Sequence, residues 1–173
     1  MVSKDLRDFL ISIVLLFLVV FGGYVINEYF DSYSKFNMKE NVSKVYGSPC
    51  TIIATKDELN KKFILFRDNK NNDLGMMYFE KSEIFKDRYT GGGGSYGRVN
   101  GVRPSGNYSS YMLTFGQEYS LLVVWGDNAL IKADKLQVTQ GERLITTDLS
   151  SKKEFLEIYW GGYKDQAGKV MFN

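Results

Sequence analysis

The sequence predicts an all-β fold, an antiparallel β-sandwich or flattened barrel, preceded by one N-terminal transmembrane helix. Three observations point there. Residues 9–26 (FLISIVLLFLVVFGGYVI) form an uncharged apolar run that nothing later in the chain matches. The 173 residues include 17 glycines and only two prolines, with 12 tyrosines and 12 phenylalanines, a composition of turns and of bulky side chains suited to a pleated surface. Beyond residue 49, short apolar stretches alternate with turn-forming clusters at the spacing of strands.

The apolar run comes first. At ~1.5 Å per residue, about 18 residues make a helix on the order of 27 Å long, enough to cross a thin or locally adapted hydrocarbon core. The flanking charges are nearly balanced, with Lys4 and Arg7 against Asp5 and Asp8 on one side, and Lys35 and Lys39 against Glu28, Asp31 and Glu40 on the other. The basic asymmetry that orients a span is therefore weak. A short tail carrying the free amino charge ahead of a first apolar run is how export signals begin, and this sets residues 1–8 as a cytoplasmic tail with the domain outside. A cleaved signal peptide is the rival, with Gly22 or Gly23 beside Val20 as a poor substitute for an A-x-A site. The apolar run continues past that point through Tyr24, Val25 and Ile26, which favours an uncleaved signal anchor over residues 9–27. Tyr24, Tyr29 and Phe30 then fall where interfacial aromatics sit.

Residues 28–48 read as a juxtamembrane helix or linker. Tyr29, Phe30, Tyr33 and Phe36 recur at helical spacing, so the membrane helix is expected to run on for two or three turns before Gly47 and Pro49 end it. The β domain then occupies residues 49–173. Strands are expected at residues 50–55 (CTIIAT), 61–67 (KKFILFR) and 74–81 (LGMMYFEK), the last two separated by the turn cluster DNKNND. In the third of these, Met76 and Tyr78 face one way and Met77 and Phe79 the other, so that strand is covered on both sides. The methionine pair reads as core filler.

Residues 83–110 (EIFKDRYTGGGGSYGRVNGVRPSGNYSS) are the least regular part. A loop this long in a compact domain is usually functional or mobile. Its glycine run lacks the G-x-x-x-x-G-K-[ST] pattern and the strand-turn-helix setting of a phosphate cradle, so nucleotide binding is not expected. Tyr89, Tyr96, Arg98, Arg103, Asn107, Tyr108 and Tyr111, set among Gly and Ser, instead match the residues of adaptable protein-binding surfaces, where Tyr gives contact area at low entropy cost and Arg gives forked hydrogen bonds. These seven are the candidate partner-binding residues, weighed against an ordinary floppy connection.

Strands resume at residues 108–115 and at 119–125 (YSLLVVW), the most apolar stretch outside the membrane run. Gly126-Asp127-Asn128 turns the chain into an expected strand over 129–138, and Gln140-Gly141 turns it again into 143–149. In 153–160 (KEFLEIYW), Leu156, Ile158 and Trp160 share one face and Phe155, Glu157 and Tyr159 the other. Asp165 and Gly168 mark a hairpin into a last short strand, 169–172. Eight or nine strands at this spacing suggest two packed sheets or a flattened barrel.

Composition excludes several chemistries. A formal net charge of +2 gives none of the field of a dedicated nucleic-acid binder. Histidine is absent, and with it imidazole acid/base catalysis, Ser-His-Asp and Cys-His systems and H-E-x-x-H zinc sites. The lone Cys50 forms neither an internal disulfide nor a single-chain thiolate metal site, and it reads as a small buried residue opening a strand. Asp87, Asp127, Asp134, Glu142, Asp148, Glu154, Glu157 and Asp165 supply carboxylates from which a glycosidase pair would be drawn, but most lie beside turn glycines or on strand faces expected to be wet.

The progression GQEYSLLVVWGDN, LIKADKLQV, EFLEIYW and the terminal YKDQAGKVMF resembles a group of small uncharacterised exported or membrane-anchored β-domain proteins of Gram-positive bacteria. The likeness covers roughly the last two thirds of the chain, on motifs of low specificity. It implies an extracytoplasmic β-sandwich-like fold and carries no catalytic residues with it. The expectation is a non-enzymatic interaction or scaffold module at the cell membrane, with lipid around residues 9–27 and a protein or envelope partner on the loop, and with no cofactor, metal or nucleic acid. A cell-wall or glycan hydrolase with paired carboxylates, and a small accessory subunit of a membrane complex, are the alternatives.

Overall fold

The computed structural model describes residues 4–91, 107–115, 119–162 and 169–173. It opens with α1 (Lys4–Asp31), a helix about 42 Å long at ~1.5 Å per residue. Every side chain from Leu6 to Phe21 is exposed, so this apolar helix stands clear of the domain rather than inside its core.

The helix ends earlier than the aromatic spacing predicts. After Asp31 the chain becomes extended as β1 (Ser32–Ser34), makes one 3-10 turn (Lys35–Asn37) and only then forms α2 (Met38–Tyr46). The cause lies 56 residues away. Arg88 donates from Nη2 to the carbonyls of Tyr29 (2.9 Å) and Ser32 (2.7 Å) and from Nε to Ser32 Oγ (2.5 Å), with its guanidinium 4.1 Å from the centre of the Tyr29 ring. The last turn of α1 has no basic residue of its own, so a cation from the domain takes the carbonyls that a helix C-terminus leaves unpaired. Tyr33 then packs edge-on against Phe79 instead of extending the apolar helix.

The strands that follow are β2 (Cys50–Glu58), β3 (Lys61–Asp68), β4 (Leu74–Lys81), β5 (Arg88–Gly91), β6 (Tyr108–Phe115), β7 (Tyr119–Asp127), β8 (Lys135–Gln140), β9 (Arg143–Asp148), β10 (Glu154–Gly162) and β11 (Lys169–Phe172), with the short α3 (Asn128–Ile131) after β7. All pairings are antiparallel. The first sheet has the order β1-β5-β4-β3-β2, the second β10-β7-β6 and the third β11-β8-β9. The all-β antiparallel class holds, and the sheets stack three deep.

Two strands explain the stacking. In β4, Met76 and Tyr78 enter one apolar cluster while Met77 and Phe79 enter another, which is the two-sided coverage that LGMMYFEK predicts. The first cluster fills the space between the first and second sheets, with Phe63, Leu65 and Leu74 facing Leu121, Val123, Trp125 and Leu156. The second lies on the outer face of the first sheet, where α2 seats Met38 and Val42 over Ile64, Phe66 and Met77. β7 repeats the pattern one layer on. Its Leu122 and Val124 turn away from the first sheet and meet Leu136, Val138, Leu149 and Phe155 against the third. Each fully buried aliphatic side chain contributes about 1.5–3 kcal/mol, so a strand buried on both faces is worth far more per residue than an edge strand.

Local chemistry sets the turns. Gly47, at φ 83°, closes α2 with its N–H on the Ser43 carbonyl, a left-handed C-cap that suits glycine. The Asp68 carboxylate accepts from Lys70 N, Ser48 Oγ and Asn71 Nδ2 and so folds the DNKNND cluster into the β3–β4 turn; the Lys70 amide and Ser48 hydroxyl hold it below the ordinary carboxylate range. The strand expected over 129–138 is shorter than predicted. Asp127 caps α3 through Ala129 N, and the buried Asn128 ties the carbonyls of Ala133, Leu149 and Lys152 together, so β8 begins only at Lys135.

Candidate interaction surface

The seven loop residues do not share one situation. Tyr96, Arg98 and Arg103 lie outside the described residues. Tyr89 is buried in β5 against the α2 side of the first sheet, with the Lys62 ammonium 5.8 Å from its ring centre. Tyr108 is half-buried and packs on Phe172 at 4.7 Å between ring centres, joining the second sheet to the third. Tyr111 stacks on Tyr78 at 6.4 Å and joins the cluster between the first two sheets. The three described tyrosines thus serve packing and fix where the chain leaves and re-enters the sheets.

Asn107 marks the re-entry. Its carbonyl accepts from Asp127 N at 3.0 Å, and a Cβ on Gly126 would come within 2.8 Å of that oxygen and within 2.8 Å of Phe155 Cζ. Only glycine allows the backbones of residues 107 and 126 to approach this closely. Beside this junction, Arg67 at the end of β3 places Nη2 3.0 Å from Asp127 Oδ2 and 3.0 Å from Glu154 Oε1, and Nη1 3.0 Å from the Asn72 carbonyl. Burial pulls the guanidinium pKa down, and the bonds to Asp127 and Glu154 more than offset this, so Arg67 stays charged and locks the first sheet to the second.

A second bridge crosses the same two sheets along the β2–β10 edge. Glu157 lies between Lys56 (2.6 Å) and Lys152 (2.5 Å). Burial alone would raise its pKa; the two ammonium groups outweigh that and hold it below the usual glutamate value. Further along, Trp160 Nε1 donates to Glu58 Oε1 at 2.7 Å. On the inner side of β10, the Tyr159 hydroxyl meets Thr147 at 2.8 Å, and burial pushes its pKa up to about 12. Cys50 is fully buried, and burial, aided by the neighbouring Asp68 charge, raises its thiol pKa.

No known protein family, curated protein or solved structure matches this chain. Its chemistry must therefore be read from its own side chains. Asp127, Glu154 and Glu157, three of the carboxylates singled out in the sequence, each have a cation within 3.0 Å, and Asp127 also caps α3. They act as ties between layers. Asp148 accepts from Ser150 N and Ser150 Oγ in a turn after β9, and these bonds lower its pKa. Asp87 pairs with Lys35 beside the end of α1. Asp165 lies outside the described residues.

Arg67 and Arg88 hold the layout together, and neither stands out in the sequence. Arg67 closes the strand KKFILFR, and Arg88 opens β5 inside a stretch whose sequence shows no strand pattern. Their partners are 60 and 87 residues away in one case and 56 and 59 in the other, distances that no local motif encodes. The one available signal for Arg67 is a cation at the end of a strand that is otherwise buried on both faces.

Proposed function

We propose that the protein is anchored in the cell membrane by α1 and that its β domain, on the outer side, is an interaction or scaffold module that binds a protein or envelope partner through the segment between β5 and β6. The observation that carries this reading is the division of labour in the chain. An apolar helix whose side chains are exposed from Leu6 to Phe21 is joined to a domain with its own three-layered core, and lipid is the environment that makes such a helix stable. Within the domain, the carboxylates Asp127, Glu154 and Glu157 are engaged as cross-sheet ties. The residues that flank the segment between β5 and β6, Tyr89 before it and Asn107, Tyr108 and Tyr111 after it, are in contrast packed or hydrogen-bonded into the sheets.

Affinity capture from membranes tests the loop, comparing the intact protein with one whose residues 91–105 are replaced by a short linker. The reading expects at least one partner to be lost with the loop, and equal recovery of every partner removes the loop from consideration. Protease accessibility on intact against lysed cells tests the side: cleavage of the β domain in intact cells is expected, and protection until lysis would place it in the cytoplasm.

A further inference from the structure

Outside α1, the exposed large apolar side chains among the described residues are Phe36, Leu59, Tyr119, Leu130, Leu144 and Trp160. They are not scattered. A continuous row of contacts joins four of them to the end of the domain where α1 arrives. Glu28 of α1 accepts from Ser82 Oγ at 2.6 Å, and Tyr29 packs edge-on against Phe85, which sets the β4–β5 turn beside the last turns of the apolar helix. In that turn Asp87 pairs with Lys35, and the Asp87 carbonyl accepts from Lys35 N at 2.9 Å, so Phe36 is held at the same end. Lys81 N, next to Ser82, donates to the Asn60 carbonyl in the β2–β3 turn, whose other residue is Leu59. Glu58 precedes Leu59 and accepts from Trp160, and Tyr119 pairs with Gly162 two residues beyond Trp160. Phe36 is 77% exposed, Leu59 56%, Tyr119 55% and Trp160 40%, and Phe30 at the end of α1 is 79% exposed. Leu144 follows the β8–β9 turn, whose Gln140 lies against Gly161, while Leu130 alone sits at the opposite end in α3.

A soluble domain has no reason to gather its exposed aromatics around the foot of an apolar helix. The lipid–water interface supplies one, because Trp, Tyr and Phe are favoured there and lysines reach the headgroups with their stems along apolar surface. Lys86 is exposed at this end beside Phe85, while Lys35 pairs with Asp87 and Lys81 with Asp57. Building on the membrane-anchor reading, we propose that this end of the β domain is itself a membrane-contact surface: Phe36, Leu59, Tyr119 and Trp160 rest in the headgroup layer of the leaflet from which α1 emerges. The domain is then held upright by two attachments, and the opposite end, with Asn107, Arg67 and the α3 turn, faces away from the bilayer. The surface is an extension of the span, and lipid is its occupant.

The test uses the full-length protein in phosphatidylcholine–phosphatidylglycerol vesicles, one set with acyl chains brominated near the glycerol end and one set near the methyl end, with indole fluorescence as the readout. In a Trp160→Phe background, where the remaining native Trp125 is buried in the core, single probes are introduced as Phe36→Trp, Phe17→Trp and Leu130→Trp. The proposal expects the position-36 probe to lose most of its emission to the glycerol-end bromines, the position-17 probe in α1 to lose it to the methyl-end bromines, and the position-130 probe to keep its emission in both sets. Native Trp160, compared between the parent and Trp160→Phe, is expected to contribute a quenched component. Quenching at position 17 without quenching at 36 and at Trp160 overturns the contact surface and leaves the anchor standing. Quenching at none of the three overturns the anchor as well, and equal quenching at 36 and 130 overturns the upright orientation.

Discussion

Replacing Arg67 by alanine removes a guanidinium that two carboxylates share, and the structure sets the size of the loss. The Arg67 side chain is 20% exposed, and those of Asp127 and Glu154 are 11% and 16% exposed. Each 3.0 Å bond to a charged acceptor is worth about 1.5–3 kcal/mol, and stripping one partner from a buried ion pair costs about 3–5 kcal/mol because the remaining charge stays desolvated. The remaining solvent access screens part of this, so the expected loss is about 3 kcal/mol. Urea unfolding of the full chain in detergent, followed by the emission of the buried Trp125, is the assay. With a slope of about 1–3 kcal/mol per molar urea, the midpoint falls by about 1–3 M. The triple variant Arg67→Met, Asp127→Asn, Glu154→Gln is expected to regain most of the loss, since asparagine still caps α3 and no unpaired charge is left behind. A single-variant loss below about 1 kcal/mol, the size of a surface pair, or a triple variant no more stable than the single one, would refute the view that this tie locks two sheets.

Three further outcomes follow from the same geometry. Glu157 has a folded pKa below its unfolded one, so its contribution is fully present above the unfolded value and is lost as pH falls through the folded value; the acid limb of a stability profile should be flatter in Glu157→Gln. Gly126→Ala pushes a methyl to within 2.8 Å of the Asn107 carbonyl oxygen and the Phe155 ring, an overpacking of backbone as well as side chain that should cost about 1–3 kcal/mol by urea unfolding. The Cys50 thiol, buried and with a raised pKa, should react with an aromatic disulfide reagent only in denaturant, and rapid labelling of the native protein would contradict its place under α2.

Much of the fold was legible because periodicity is local. The double alternation in LGMMYFEK predicts a strand covered on both faces and the apolar run YSLLVVW predicts a further strand, and β4 and β7 are the two around which the layers assemble. Turn chemistry was equally readable at DNKNND. The misses share one cause. Tyr29, Tyr33 and Phe36 keep helical spacing, yet the helix ends at Asp31 because Arg88, distant in sequence, binds the Tyr29 carbonyl in its last turn and the Ser32 carbonyl just beyond it. Residues 129–131 look like strand and are helical because Asn128 finds three carbonyls from two other segments. At the candidate site, composition singled out the Tyr and Arg residues, whereas the packing roles of Tyr89, Tyr108 and Tyr111 depend on which sheets face one another, which no short window encodes.

The Arg88 clasp has a mechanical corollary. Three hydrogen bonds from one rigid, planar group, with its face on Tyr29, fasten the foot of α1 to a strand continuous with the whole first sheet. No slack tether intervenes, so α1 and the first sheet turn together. In the proposed membrane-anchored arrangement, tilt imposed on the helix by bilayer thickness or by a neighbouring span is delivered to the far tip of the domain as lever motion.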